Sequence, residues 1–257
     1  MNKKHLPLVS IITVCKNSAE TINDCILSVN RQSYPNIEHV IIDGNSTDST
    51  KSIISSSAMR NVKLYSSDDN GIYDAMNKGL ERANGDVIGF LNSDDLFYGD
   101  DIVLSIVNSF NKKHADIIWG NLVYVDKFDI SKVKRVWNSR PLTRSDLSLG
   151  IVPPHPTFYF RKTVETANYR FNQKYRLAAD FDFMISLLTN KKLRSTFVPE
   201  RIVKMRNGGA TNVSYSNIYE QNKEIVKSIH AQLGEINIIK FIVYKIFNRF
   251  LQKVRAR

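Results

Sequence analysis

Cysteine is scarce in this chain: Cys15 and Cys25 are the only two among 257 residues. Neither has a Cys or His neighbour at metal-ligand spacing, which argues against a zinc site, and two reduced thiols are the expectation. No apolar run approaches the roughly 18 residues that a membrane-spanning helix needs. Met1 to His5 is polar and the apolar run after it is short, so no signal peptide is expected. Internal repeats and low-complexity tracts are also missing. Acids are outnumbered, 25 against 36 Lys and Arg, for a formal charge of +11. The excess is uneven: residues 236–257 hold Lys240, Lys245, Arg249, Lys253, Arg255 and Arg257 and no acid. Such a surface prefers polyanions, whether nucleic acid, an anionic membrane or anionic small molecules. What remains is ordinary globular material, 42% apolar and 24% charged, enough for a full core without disulfides.

The N-terminal part alternates strand-like and helix-like segments. Leu8 to Val14 reads as a buried strand, and Asn17 with Glu20 three residues on as the N-cap pair of a helix to about Arg31. Strands follow at Ile37 to Asp43, Val62 to Tyr65, Val87 to Leu91 and Asp116 to Trp119, with helices at Ser46 to Ser55, Ile72 to Ala83 and Asp101 to Lys112. This order implies an α/β fold with a mostly parallel sheet flanked by helices. Ligands then bind beyond the carboxyl ends of the strands, where Thr13 to Asn17, Asp43 to Ser46 and Asn92 to Asp95 gather. From about residue 121 the alternation weakens. Strands are expected at Leu122 to Lys127, Lys132 to Trp137, Leu193 to Val198 and Ile202 to Met205, a rigid turn at Pro153 to Pro156 before the apolar Thr157 to Phe160, a helix at Leu177 to Leu188, and long helices to finish.

Two strand ends carry acids suited to chemistry. Asn92-Ser93-Asp94-Asp95 presents Asp94 to the crevice, and a hard divalent cation takes such a carboxylate together with substrate phosphates. Taken alone, the tetrapeptide also reads as a solvated turn or helix cap. Asp43, followed by Gly44, can accept from a base or ribose donor, while Ser46-Thr47-Asp48 reads equally as a helix cap.

In combination these segments are more specific. Val9-Ser10-Ile11-Ile12-Thr13-Val14-Cys15-Lys16-Asn17 and Asp43-Gly44-Asn45-Ser46-Thr47-Asp48-Ser49-Thr50 resemble the inverting family 2 glycosyltransferases of GT-A fold. Asp69-Asn70-Gly71-Ile72-Tyr73-Asp74-Ala75-Met76-Asn77-Lys78-Gly79 resembles a bacterial branch that builds surface polysaccharides, and Asn92 to Asp95 matches the family's DxD position. The likeness covers about residues 6–100 best and extends to about 210.

The resemblance implies a GT-A domain over 1–210, with a nucleotide-binding half to about 120 and an acceptor half beyond, and C-terminal helices over 211–257. It implies that Thr13, Cys15, Asn17 and Glu20 cradle the base and ribose of a nucleotide-diphosphate-sugar, that Asp43 reads the base, and that Asp69 and Asn77 lie close to the donor. Asn92, Ser93 and Asp94 would complete the donor site, with Mn2+ or Mg2+ held at Asp94. Asn92 departs from the motif's first acid: its amide oxygen can accept, but it brings no charge. In Ala178-Ala179-Asp180-Phe181-Asp182-Phe183, Asp180 matches the catalytic base and Asp182 is the alternate. His155, between prolines, is a further candidate for holding diphosphate or acceptor. Gly208-Gly209 matches a loop that closes over the donor. The implied reaction is transfer, with inversion, from a UDP-sugar by preference to a glycan hydroxyl during O-antigen, capsule or exopolysaccharide synthesis.

From Ile242 to Val254, Val243, Ile246, Phe247, Phe250 and Val254 share one helical face and Lys245, Asn248, Arg249 and Gln252 the other. Such a helix suits an anionic membrane surface, or alternatively packs on its own domain. With the resemblance, it implies a cytoplasmic enzyme peripheral at the inner face of the cell membrane, working on a lipid-linked acceptor. Two other functions compete. A sugar nucleotidyltransferase should carry a glycine-rich phosphate loop after the first strand, and Cys15-Lys16-Asn17-Ser18 has no Gly. A nucleic-acid-binding protein should interleave aromatics and bases on one platform, whereas the bases here concentrate in an aliphatic helix, so nucleic acid is not expected as a partner.

Overall fold

The structure, a computed structural model, describes residues 6–57, 61–208, 215–234 and 236–245. Nine strands form one sheet in the order β3-β2-β1-β4-β8-β6-β9-β5, with β7 paired to β6. β1 (Val9–Cys15) pairs in parallel with both β2 (Ile37–Asp43) and β4 (Val87–Phe90), and β2 pairs in parallel with β3 (Val62–Ser66). Beyond β4 the sheet is mixed. β8 (Tyr159–Arg161) runs antiparallel to β4 and to β6 (Ile117–Val125), and β7 (Val133–Trp137) is antiparallel to β6. β9 (Ser195–Arg206) is parallel to β6, and short β5 (Leu96–Phe97) is antiparallel to β9. In the mostly parallel sheet expected from the sequence, the parallel pairs are those of the first four strands and of β6 with β9.

Alternation along β1 sorts its side chains between two layers. Val9 and Ile11 pack with Cys25 and Val29 of α1 (Ile22–Asn30) and with Val103, Ile106 and Phe110 of α4 (Ile102–Lys113). Ile12 and Val14 face the other way, toward Met76 and Leu80 of α3 (Ile72–Arg82) and Phe183 and Leu187 of α6 (Ala179–Thr189). Gly89 lets β4 and β8 approach closely, since a Cβ there would lie 2.0 Å from the Tyr159 ring.

Three expectations need correction. The first helix opens at Ile22, not at Asn17; Asn17 is left-handed, with φ 52°, and its side chain crosses to the next loop instead of capping. The helix expected from Ser46 is α2 (Thr50–Ser56), because Ser46 to Asp48 bond across to the first loop and so form no helical turn. The segments read as separate strands around Asp116–Lys127 are the single β6, and those around Leu193–Met205 the single β9. Trp119 pairs with Phe197 and Asn121 with Arg201, so β9 carries extra residues around Pro199. A bulge accommodates a proline that cannot donate to the ladder, and that break resembled a strand end.

At the C-terminal side, α7 (Tyr215–Leu233) packs on α6 and shares a core of Leu147, Phe181, Ile185, Ile225 and Ile229. Residues 238–245 are helical, and Phe241, 3% exposed, seals that core. Ile238, Ile239, Ile242 and Val243 of the same helix are exposed. The amphipathic pattern beyond Lys245 lies outside the described residues. None of the described helices is long and apolar enough to cross a membrane.

Under the first strand, His39 is fully buried, and burial pushes its pKa down to about 3. Its Nε2 lies 2.9 Å from the Thr13 hydroxyl, which donates to Leu91 O at 2.7 Å, so the ring donates to Thr13. Nδ1 has no partner among the described residues. The folded state thus refuses a proton that the unfolded chain takes up near 6.5, and His39 costs stability progressively as pH falls from about 6.5 toward 3. Replacing His39 with Gln should flatten the fall in unfolding free energy between pH 6 and 4 by up to about 1.4 kcal/mol per pH unit. Urea denaturation at a series of pH values measures this, and an unchanged slope would contradict it.

Candidate active site

Three loops meet at the carboxyl edge of β2, β1 and β4, the place where strand order reverses about β1. They are bonded to one another. Asn17 Oδ1 accepts from Thr47 N at 2.9 Å, and Asn17 N donates to Ser46 Oγ at 2.8 Å. Ala19 N donates to Asp48 at 3.1 Å, and the hydroxyls of Ser18 and Ser93 lie 3.0 Å apart, linking the first loop to both others.

Asp43 is fully buried at the end of β2. Its carboxylate accepts from Ser46 N at 3.1 Å and Ser66 Oγ at 2.8 Å, with Cys15 Sγ 3.8 Å away. Burial first, then the Asp43 charge, pushes the Cys15 thiol up to about 12, so Cys15 is a neutral wall. Asp69 lies over Gly44: a Cβ there would come 2.1 Å from Asp69 Oδ2, which is why glycine follows Asp43. Asn17 and Glu20 are exposed at the rim. Thr13 is fully buried, and its hydroxyl is spent on His39 and Leu91. It holds the end of β1 and presents nothing to a donor, so its assignment as a contact is corrected.

At the end of β4, Asn92 Nδ2 donates to Asp95 Oδ2 at 2.8 Å. Asp95 is fully buried, and burial, with the Asp94 charge next, raises its pKa well above the ordinary range. An acid at position 92 would face Asp95 without that donated hydrogen bond, a local reason for the amide. Asp94 is partly exposed, and its carboxylate makes no hydrogen bond or ion pair to the described residues. Arg206, 7% exposed, grips the loop from behind: its guanidinium donates to Asp94 O at 2.7 Å, Lys127 O at 3.2 Å and Asp24 Oδ2 at 2.6 Å. Among the described residues no group of three or more His, Cys, Asp or Glu could hold a metal ion. A single free carboxylate fits an ion whose other ligands are diphosphate oxygens and water.

Asp180 and Asp182 part company at the start of α6. Asp182, 7% exposed, accepts from Ser228 Oγ of α7 at 2.6 Å, and burial raises its pKa. It ties two helices together and is removed as an alternate base. The lead-in to the helix is held by Glu224 of α7, which accepts from Arg176 N, Leu177 N and Ala178 N at 2.8–2.9 Å. Asp180 is partly exposed and accepts from the Tyr73 hydroxyl at 3.2 Å. His155 stacks against Phe90, the last residue of β4, at 5.1 Å, and burial lowers its pKa despite the nearby Asp180 charge. Its Nε2 is enclosed without a partner among the described residues. Asn77 is drawn away from the donor: its amide bonds both Phe171 N and Phe171 O, at 2.8 and 2.9 Å.

The model of the family described as "Glycosyl transferase family 2" matches residues 10–167. The chain belongs to glycosyl transferase family 2. It is 31% identical over 195 residues, 75% of this chain and 74% of the other, to a PGL/p-HBAD biosynthesis glycosyltransferase of Mycobacterium bovis. It is 37% identical over 149 residues, 57% of this chain and 59% of the other, to an uncharacterised glycosyltransferase of Haemophilus influenzae. Among solved structures, Staphylococcus aureus TarS in complex with UDP superposes with a TM-score of 0.65 at 20% identity, covering 89% of this chain and 67% of that one. The mannosyltransferase PcManGT of Pyrobaculum calidifontis, solved with GDP-Man and Mn2+, gives 0.65 at 15% identity over 90% of this chain and 66% of that one. These likenesses confirm the GT-A fold expected from the sequence.

Three working residues of this family 2 enzyme escaped the sequence reading. Arg206 is one base at the end of a strand, and Glu224 one acid within a polar helix, so neither carries a local signal. Tyr73 sits within a motif that was recognised, but nothing in its spacing points to Asp180. Arg206→Lys should test the grip on the Asp94 loop, because one ammonium cannot serve three acceptors in the fork geometry of guanidinium. We expect nucleotide-sugar binding to weaken about 10-fold, a loss of about 1.4 kcal/mol. Calorimetric titration checks this, and unchanged affinity would show that the loop stands without Arg206.

Proposed function

We propose that this glycosyltransferase moves a sugar from a nucleotide-diphosphate-sugar, UDP-linked by preference, to a hydroxyl of a glycan acceptor with inversion. The observation that carries the reading is the linked edge of loops with Asp94, and Asp180 in the first turn of α6, both partly exposed while their neighbours Asp95 and Asp182 are buried. The TarS complexes with UDP and UDP-GlcNAc support a UDP donor, and the PGL/p-HBAD relatives support a surface glycoconjugate acceptor, here O-antigen, capsule or exopolysaccharide.

The residues divide the work. Asp43, buried beside Cys15, orders the loop backbone that meets the base; Asn17 and Glu20 rim the ribose; Asp69 and Ser93 line the way to the diphosphate. Asp94 would hold Mn2+ or Mg2+, which when bound neutralises charge developing on the leaving diphosphate. Asp180 takes the proton from the acceptor hydroxyl as it attacks the face opposite the leaving group, through an oxocarbenium-like state. His155, neutral in its aromatic setting, accepts from or donates to the acceptor beside Asp180.

Docking on the inner face of the membrane completes the proposal. Ile238, Ile239, Ile242 and Val243 are exposed on a helix whose other side is pinned by Phe241, and the following sequence adds bases without acids. Hydrophobic burial plus about 1 kcal/mol per base near an anionic surface favours this placement. It also suits a lipid-linked acceptor.

A screen of nucleoside diphosphate release from UDP-, GDP- and dTDP-sugars identifies the donor. With it, Asp94→Ala should abolish turnover, and Asp180→Asn should lower it about 100-fold or more while donor binding persists. Asp182→Asn, which keeps a partner for Ser228, should stay within a few-fold of the wild type; the reverse pattern would overturn the assignment of the base. For the membrane, Ile239→Glu with Val243→Glu should abolish co-sedimentation with anionic vesicles and leave donor hydrolysis intact. Undiminished sedimentation would place the contact elsewhere. Truncation from Ile236 is the poorer test, because it removes Phe241 from the core.

A further inference from the structure

The segment Asp69 to Gly79 does more than border the donor. Its helix, α3, turns three consecutive contacts toward the stretch that leads into α6. Asn77 receives the N–H and engages the carbonyl of Phe171, at 2.8 and 2.9 Å, so a side-chain amide plays the part of a neighbouring strand. Asp74 Oδ1 accepts from Gln173 Nε2 at 3.0 Å, and its other oxygen is fixed by Asn70 N and Lys78, both at 3.0 Å. Tyr73 donates to Asp180 Oδ1 at 3.2 Å, while its ring stacks on Phe171 at 5.8 Å. Phe171 in turn stacks on Phe183 of α6 at 4.4 Å. Asn77 lies four residues after Tyr73 and three after Asp74, so it shares a helix face with each, and all three reach the same neighbour.

We propose that Tyr73, Asp74 and Asn77 form a clasp that positions the base: the nucleotide-binding half holds residues 171–180 of the acceptor half, and the Tyr73 hydroxyl aims the Asp180 carboxylate. The proposal rests on the reading of Asp180 as base. α3 follows directly from Asp69, which lies over Gly44 beside Asp43. The loop that receives the nucleotide and the group that accepts the proton are therefore referenced to one rigid helix. A base misplaced by about 1 Å costs on the order of 100-fold in rate, so such referencing has kinetic value. Tyr73 and Asn77 are positioning residues: each acts through Asp180 and neither touches the donor.

The test is a double-mutant cycle with Tyr73→Phe, which keeps the ring stack and removes one hydroxyl, and Asp180→Asn. Nucleoside diphosphate release gives kcat and donor KM, titration with UDP gives affinity, and a thermal melt reports folding. Tyr73→Phe should lower kcat about 10-fold with donor KM, UDP affinity and melting temperature unchanged. In the Asp180→Asn background it should cause no further loss, the signature of two residues working as one. Asn77→Asp, which cannot donate to Phe171 O, should also lower kcat and spare UDP affinity. Wild-type kcat in Tyr73→Phe beside an inactive Asp180→Asn overturns the clasp alone. Wild-type turnover in Asp180→Asn overturns the base assignment and the clasp with it. Weakened UDP binding in Tyr73→Phe or Asn77→Asp shows a donor contact and likewise overturns the proposal.

Discussion

Parallel pairing of β1 with β2 on one side and β4 on the other is the constraint from which the site follows. It delivers three strand ends to one edge and leaves their loops close enough to bond. Each loop is polar for its own reason, yet their side chains are used mostly on one another: Asn17 on Thr47, Ser46 on Asn17, Ser18 against Ser93. This mutual bonding fixes the backbone before any donor arrives, so little ordering entropy is left to lose on binding. It also separates acids that look alike in sequence. Asp43 and Asp95 are enclosed by their loops, whereas Asp94 stays open.

A second layer of support comes from behind the edge. Arg206 reaches from the end of β9 to a carbonyl of the β4 loop, a carbonyl beyond β6 and a carboxylate on α1. A planar cation with several donors suits that junction, because three elements converge there with unsatisfied oxygens. The junction spans more than a hundred residues of sequence, and no local pattern announces it.

The parallel half of the fold was legible because each element is bounded by local chemistry: apolar β-branched runs for β1 and β2, and Asn84-Gly85 after α3. The same reading failed where long-range bonds override local preference. Asn17 looks like a helix cap but spends its oxygen on Thr47, and the bulge at Pro199 disguises a single strand as two. In the site, acids at strand ends were visible as types, but their exposure was not. Nothing local separates Asp180 from Asp182, which differ because a serine on α7 covers one of them. Thr13 looked like a site residue because it stands among site residues, and only the buried His39 beneath it reveals its internal role.

The tie between Glu224 and the approach to α6 carries a consequence for how the enzyme comes into being. The three amides just ahead of the helix bearing Asp180, of Arg176, Leu177 and Ala178, are satisfied by Glu224, some 45 residues later in the chain. While the ribosome is still making α7, the edge of β1, β2 and β4 already has every strand it needs, but the segment leading into α6 does not yet have its acceptor. The approach to α6 is therefore completed later in synthesis than the strand edge, and the arrival of α7 marks that moment.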